Sequence, residues 1–257
     1  TKDLDRKIEC VEKSCFWNPQ NADYHHKIGL LYQQKASNKN ISIEERMKLL
    51  NDAKYEIKTA IILLPAKGKY LASYGWLLGN LGEYDKAIKF FDKAIELNPT
   101  FELAWANKAN TFFKLKRYDE ALECVNKALE LHPSWADVLK LKGMILINQG
   151  KNEEALECLD KALKLNPEDW SIWDNKGRAL FNLKRFDEAI ACFEKALELS
   201  PKNYEILHLK GLSLANLGRY EESIRCLNEA LRLNPDFIPA LIAKGEVLLN
   251  MDRYNEA

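Results

Sequence analysis

Cysteine is the residue type in this sequence with the most varied chemistry, because a thiol can bind a metal ion, form a disulfide or act as a nucleophile. Four of the six cysteines recur at intervals of 34 residues: Cys124, Cys158, Cys192 and Cys226, with Cys10 in the same phase. Such an interval indicates a repeated unit, and equivalent atoms of neighbouring helical units lie about 8–10 Å apart. A disulfide needs Cα atoms within about 7 Å, and zinc sites use closely spaced ligands. We therefore predict that these cysteines are small packing residues.

The four histidines and the common catalytic motifs give no better candidate. His25 and His26 are adjacent, so they point in different directions on a helix, and neither has a histidine four residues further on. His132 replaces the asparagine that precedes the proline in similar segments. The sequence has no glycine-rich phosphate loop, HExxH or GxSxG motif. We expect no catalytic residue, no metal ligand and no cofactor, and we expect that the chain is not an enzyme.

Six prolines define the period of 34 residues. They are Pro65, Pro99, Pro133, Pro167, Pro201 and Pro235. With the proline at place 32 of each unit, complete units cover residues 68–101, 102–135, 136–169, 170–203 and 204–237. Within a unit, places 1–14 and 18–31 are each apolar at helical spacing, and we name these segments helix A and helix B. Proline disfavours a helical conformation in the residue before it, so it ends helix B.

Small and large residues alternate at fixed places, as expected where helices pack closely. Place eight is Gly75, Ala109, Gly143, Gly177, Gly211 and Gly245; place 20 is Ala87, Ala121, Ala155, Ala189, Ser223 and Ala257. An aromatic residue occupies place 17 in most units: Tyr84, Tyr118, Phe186, Tyr220 and Tyr254. Asparagine recurs at place 13, where we expect it to end helix A because asparagine tolerates turn conformations.

This pattern resembles the tetratricopeptide repeat family over nearly the whole chain: an aromatic residue or leucine at place four, glycine at eight, alanine at 20 and 27, and proline at 32. The resemblance implies an all-α fold, a right-handed superhelical solenoid of antiparallel helical hairpins. Place seven departs from the family, because it is lysine where the family is apolar: Lys108, Lys142, Lys176, Lys210 and Lys244. We expect their methylene stems to pack and their ammonium groups to reach water.

The two ends of the chain are irregular. Residues 1–21 contain a lone helix B, residues 22–67 form a repeat with 12 additional residues between Tyr32 and Ala53, and residues 238–257 form a partial repeat with helix A. Ser42 and Glu45 form a capping box that can begin an elongated helix B. The insertion is either a tolerated loop at a hairpin tip or a projecting hairpin that makes a specific contact. The incomplete units suggest a fragment of a longer protein.

By the same resemblance, helices A line a concave groove with places 2, 5, 9, 12 and 13. The residues that we predict to bind a partner there are Lys69, Trp76, Asn110, Phe113, Lys140, Met144, Ile147, Asp174, Arg178, Phe181, His208, Leu212 and Glu246. Apolar side chains flanked by both charges suit a peptide or an amphipathic helix. The alternative is that places nine and twelve pack partly against neighbouring helices.

Composition limits the classes of function. Lys plus Arg and Asp plus Glu number 38 each, so nothing in the net charge favours nucleic acid or an anionic membrane. No apolar stretch is long enough to span a bilayer, and free thiols favour a reducing compartment, so we expect a cytoplasmic protein. The predicted function is a scaffold that binds a protein or peptide. Two alternatives remain: a regulatory module of a longer multidomain protein, and an RNA-binding helical repeat.

Overall fold

The computed structural model describes residues 2–38 and 40–251, and these contain fourteen α-helices and no β-strand. The chain divides into two compact units, Thr1–Leu131 and His132–Ala257. The first contains α1 (Lys2–Trp17), α2 (Ala22–Ala36), α3 (Ile43–Leu63), α4 (Gly68–Asn80), α5 (Tyr84–Leu97), α6 (Glu102–Lys114) and α7 (Tyr118–Leu131). The second contains α8 (Ala136–Asn148), α9 (Asn152–Leu165), α10 (Trp170–Asn182), α11 (Phe186–Leu199), α12 (Tyr204–Asn216), α13 (Tyr220–Leu233) and α14 (Ile238–Asn250).

Consecutive helices pack as hairpins, with even-numbered helices as helix A and odd-numbered helices as helix B. Within each unit, a helix B also packs against the helix A that follows it, and successive helices A touch each other. The all-α fold of stacked helical hairpins that the sequence predicted is confirmed. Tyr254 and Ala257, which the period assigns to a further helix B, lie outside the described residues.

The small residues form the centre of each hairpin. The residues at places 20 and 27 are completely buried: Ala53, Ala87, Ala121, Ala155, Ala189, Ser223, Ala60, Ala94, Ala128, Ala162, Ala196 and Ala230. Larger side chains at place 24, such as Phe91 and Phe193, fill the space beside them and are also buried. Ser223 keeps its hydroxyl satisfied by donating a 2.7 Å hydrogen bond to the backbone oxygen of Gly211.

Helix A ends at the asparagine of place 13 as predicted, but the asparagine does not itself adopt the turn conformation. The asparagines at place 13 are the last helical residues, whereas the left-handed backbone conformation lies two residues later, at place 15. Place 15 is glycine at Gly82, Gly150 and Gly218, and lysine at Lys116 and Lys184. Asparagine thus acts through its side chain: Nδ2 of Asn216 donates a 2.8 Å hydrogen bond to the oxygen of Leu212 in the preceding turn.

The 12 additional residues of the long repeat mostly extend its helices rather than form a loop. Ser42 caps the start of the elongated helix B as predicted, because its hydroxyl accepts a hydrogen bond from the backbone N–H of Glu45 at 3.1 Å. Helix α3 has 21 residues, whereas the later helices B have 14. The insertion is therefore an elongated hairpin, and its specific contact with a partner stays a prediction.

Two sequence-based expectations about packing need correction. Cys124, Cys158 and Cys192 are buried as expected, but Cys10 is exposed. Cys226, in the same phase, is half-buried. The lysines at place seven do not simply reach water, because three of them bind an acidic residue of the preceding helix B: Lys108 with Asp92, Lys176 with Asp160, and Lys210 with Glu194.

Candidate functional site

In the first unit, helices α2, α4 and α6 enclose a cavity of about 460 Å³ on the face that carries the predicted groove. Two of the predicted residues, Lys69 and Trp76, line it. Trp76 leaves 38% of its surface exposed, which gives a partner an aromatic surface to contact. The remaining lining residues are Leu30, Gln33, Ala72, Ser73, Phe101, Leu103 and Asn107.

The cavity combines an apolar wall with a few polar groups. Leu30 and Leu103 are partly exposed beside Trp76, and the Lys69 side chain is exposed at the same site. The amide Nε2 of Gln33 is buried and has no hydrogen-bond partner among the described residues. An apolar cleft with a small number of polar groups is the usual composition of a ligand-binding site.

His26 is a buried residue that contacts Ser73, one of the residues that line the cavity. Its Nε2 is hydrogen-bonded to the Ser73 hydroxyl at 2.9 Å, and its ring lies 4.7 Å from the ring of Tyr70. Burial lowers the pKa of His26 to about 4, so the side chain is neutral at pH 7. His26 therefore joins α2 to α4 as an uncharged packing residue.

The other two predicted residues of the first unit lie outside the cavity. Asn110 is exposed on α6. Phe113 is half-buried, and its ring centroid lies 6.0 Å from that of Tyr118 at the start of α7. Place 12 thus packs within its own hairpin in this repeat.

In the second unit, Lys140 connects two successive helices A. Its ammonium group donates hydrogen bonds to Asp169 at 2.7 Å and to the Ser171 hydroxyl at 3.1 Å, both at the beginning of α10. Asp169 in turn accepts a hydrogen bond from the backbone N–H of Ser171, as an N-terminal cap. The charge of Lys140 is therefore already compensated before any partner binds.

Asp174 and Arg178 form an ion pair on α10. Nε of Arg178 donates to Oδ2 of Asp174 at 2.9 Å, while Oδ1 of Asp174 is buried with no hydrogen-bond partner among the described residues. Burial raises the pKa of Asp174, and the neighbouring Arg178 opposes that shift. Arg178 is half-exposed, so it is the member of this pair that a partner can reach.

The remaining predicted residues of the second unit differ in accessibility. Phe181 is half-buried, with its ring centroid 5.5 Å from that of Phe186 in the same hairpin. His208 lies 5.4 Å from the ring of Phe237, and burial lowers its pKa. Met144, Ile147 and Leu212 are half-buried, whereas Glu246 is exposed.

The cysteines show no sign of activation. Burial raises the pKa of Cys124 and of Cys192 to about 11, which keeps both thiols protonated at pH 7. Among the described residues, no cluster of three or more His, Cys, Asp or Glu could hold a metal ion. The buried thiols therefore act as packing groups.

One cluster that sequence reasoning missed lies where α1, α2 and α3 meet. Nδ1 of His25 lies 2.6 Å from Oε2 of Glu56, its Nε2 lies 3.0 Å from the backbone oxygen of Pro19, and the Cys15 sulfur lies 3.5 Å from Nε2. Burial raises the pKa of the Cys15 thiol, and both ring nitrogens already face acceptors. The cluster ties three helices together and does not generate a thiolate.

Some of the cavity residues could have been found from the sequence. Leu30 and Gln33 occupy places nine and twelve of the long repeat, so the groove pattern includes them once it is extended across the insertion. Phe101 occupies place 34, and Ser73 and Asn107 occupy place six; the groove pattern does not include these places. They reach the cavity because α4 packs against both α2 and α6.

Comparison with known families gives three matches. Profiles described as tetratricopeptide repeat match residues 75–101 and 103–134, and another of the same description matches residues 140–204. A profile described as anaphase-promoting complex, cyclosome, subunit 3 matches residues 182–257. An uncharacterized protein of Methanocaldococcus jannaschii is 49% identical over 43 residues, which is 17% of this chain and half the length of that relative.

Solved structures are similar over most of the chain. YrrB, a TPR protein with an unusual peptide-binding site, is 26% identical, with a TM-score of 0.62 over 73% of this chain and 97% of that one. A chain of the APC/C hetero-tetramer Cut9–Hcn1 has 20% identity and a TM-score of 0.79, over 94% of this chain and 46% of that one. The pilF protein of Pseudomonas aeruginosa has 18% identity and a TM-score of 0.74, over 88% of this chain and 97% of its own.

Proposed function

The chain belongs to the tetratricopeptide repeat family, and we propose that it is a non-catalytic scaffold that binds a peptide or helix of a partner protein on the faces of its helices A. The observation that carries this proposal is the cavity between α2, α4 and α6, where Trp76 is exposed beside Leu30 and Leu103. YrrB, a TPR protein with a peptide-binding site, supports the same class of ligand.

The chemistry of the cavity indicates how such a ligand would bind. An apolar side chain would contact the Trp76 ring, and a backbone carbonyl or carboxylate beside it would face the Lys69 ammonium group. Burial of an aromatic surface of this kind often supplies much of the binding energy in a protein interface. In the second unit, Arg178 and Glu246 are the accessible charged residues among those predicted, and we expect them to act as polar contacts.

Trp76→Ala tests this assignment. Affinity purification of the full-length protein with cross-linking identifies a partner, and the affinity for that partner is then measured for the variant. We expect a loss of about thirtyfold or more, because truncating a central aromatic residue costs roughly 2 kcal/mol or more. Trp170→Ala is the matched control, since Trp170 is also 38% exposed but lies outside the cavity. Equal affinities for Trp76→Ala and wild type would refute the assignment.

We further propose that this binding takes place in the cytoplasm. All six cysteines are free, and at least three of them are buried thiols, as is common in a reducing compartment. None of the described helices is long and apolar enough to cross a membrane. Fractionation of cells that express the full-length protein tests the location directly.

A further inference from the structure

The outer side of the helices, opposite the cavity of Trp76, contains a second groove, and it lacks an ion pair that is present in three of the later repeats. In three of the later repeats, the lysine at place seven of a helix A binds the acidic residue at place 25 of the preceding helix B, whereas place 25 is asparagine before Lys142 and Lys244. The Nζ–oxygen distances are 2.6 Å for Lys108–Asp92 and for Lys176–Asp160, and 2.8 Å for Lys210–Glu194. These ion pairs join a helix A to the helix B that precedes it.

Between α3 and α5 both members of the pair are replaced. Place seven of α4 is Tyr74, and place 25 of the preceding helix is Lys58. Tyr74 is buried, and its ring packs edge-on against Phe90 with the centroids 4.8 Å apart. The ion pair is therefore absent here, and an apolar groove takes its place.

This outer groove has a volume of about 670 Å³. Leu71, Tyr74 and Leu78 of α4 line it at its floor, because all three are buried between the two flanking helices. At 100° per residue, these three side chains lie on the opposite side of α4 from Trp76. Ile62 of α3 and Leu97 of α5 are well exposed at its edges, with 68% and 48% of their surfaces accessible.

The charges around the outer groove are mostly positive. Four lysines line it, Lys54, Lys58, Lys86 and Lys93, against two glutamates, Glu83 and Glu96. Glu83 is already engaged, because Lys54 and Lys86 donate hydrogen bonds to its two oxygens at 2.5 and 2.6 Å.

Hydrogen bonds from these lysines lower the pKa of Glu83 to about 2. By contrast, neither Lys58 nor Lys93 has an acidic partner in the described part of the chain. The Lys93 ammonium group instead lies 5.6 Å from the Phe90 ring centroid. Two positive charges are therefore left beside an apolar surface.

From these observations we propose that the outer groove binds an acidic amphipathic helix of a partner protein. Its apolar side chains enter between α3 and α5 over Tyr74, and its glutamates or aspartates face Lys58 and Lys93. A helix suits the site because a row of side chains on one helix fits the groove between two others. Lys54 and Ile62 are eight residues apart on α3, which is about 12 Å along the helix and matches about two turns of the incoming helix.

The test uses a fluorescein-labelled peptide of about four helical turns, with leucine or phenylalanine every third or fourth residue and glutamates flanking them. Binding to the whole chain is followed by fluorescence anisotropy, and the same peptide with lysine in place of glutamate is the first control. We expect the acidic peptide to bind and the basic peptide to bind at least tenfold more weakly, since like charges oppose association.

A charge-reversal pair locates the peptide. Lys93→Glu should weaken binding of the acidic peptide by roughly three- to tenfold. Lys161→Glu is the matched control, because Lys161 occupies the same place of helix α9, is exposed, and changes the net charge equally. If Lys161→Glu weakens binding as much as Lys93→Glu, the attraction is not specific to this groove and the proposal is wrong.

A second variant rebuilds the ion pair of the three later repeats. Lys58→Asp combined with Tyr74→Lys should abolish binding of the acidic peptide, with helical content checked by circular dichroism. Wild-type affinity in this variant would overturn the proposal. The peptide should bind Trp76→Ala normally; if that variant loses binding instead, the peptide occupies the inner cavity, which would contradict the outer groove and leave the proposed function standing.

Discussion

The glycines at place eight decide how closely the two helices of a hairpin approach. A Cβ atom added at Gly75 would lie 2.8 Å from Cε1 of Phe91 and 3.1 Å from the backbone oxygen of Ala87. Gly75→Ala should therefore lower the free energy of unfolding by about 1–3 kcal/mol. On the same helix, a Cβ at Gly79 meets only ordinary contacts, the nearest at 3.6 Å from Thr111, so Gly79→Ala should stabilise by about 0.5–1 kcal/mol. Urea unfolding of both variants checks the opposite signs.

His26 should make stability depend on pH. Its pKa is about 4 in the folded chain and 6.5 for an ordinary histidine, so the unfolded chain binds the proton more readily. The stabilisation is complete above pH 6.5 and is lost as the pH falls towards 4. Between pH 7 and pH 5 we expect a loss of about 2 kcal/mol. In His26→Gln this dependence should flatten, and an equal loss in that variant would show that another group is responsible.

At the scale of the helix, five of the helices A (α4, α6, α8, α10 and α12) end through the same pair of hydrogen bonds. In α10, the backbone N–H of Lys184 donates to Phe181 and that of Arg185 donates to Leu180, both at 2.9 Å, the pattern of a Schellman motif. The motif requires a left-handed residue at place 15, where Lys184 has φ 60°. Glycine occupies this place in three other turns.

Lys184→Gly should therefore raise the free energy of unfolding by about 0.5–1 kcal/mol, because glycine adopts positive φ without steric cost. Thermal unfolding of the purified protein measures the change. Lys184→Ala is the control, since alanine removes the lysine side chain but keeps the strain. Equal stabilisation by both substitutions would assign the effect to the lysine side chain rather than to the backbone.

The helices themselves were largely predictable, because the signals that form and end a helix, the spacing of apolar residues and the terminating prolines, act between residues close in sequence. The contacts between helices were less so. We expected the lysine at place seven to be solvated, yet Lys108 forms an ion pair with Asp92. The prediction failed because the acidic partner lies on a different helix, and no local sequence pattern indicates which helix will face the lysine. The cavity shows the same limit. The repeat pattern predicted Lys69 and Trp76, but it did not predict Phe101 and Asn107, which line the cavity from α6 and the residue just before it.

For the whole molecule, the helices make contacts only with helices close in sequence, within the described ranges. Helix α11, for example, contacts α10 and α12. A chain of this kind behaves as a linear array, in which the stability of each repeat depends on its own packing and on its immediate neighbours. A destabilising substitution in one repeat should therefore unfold mainly that repeat and its neighbours, unlike in a domain with a single core.

Phe193→Ala tests this behaviour. Phe193 is completely buried in α11, next to Gly177 of α10, and its truncation should cost about 3–5 kcal/mol. Hydrogen exchange followed by mass spectrometry should show loss of protection in α10, α11 and α12. Helices α2 to α5, none of which contacts α11 in the described residues, serve as an internal reference and should keep their protection. Uniform loss of protection in all helices would instead show that the array unfolds as one cooperative body.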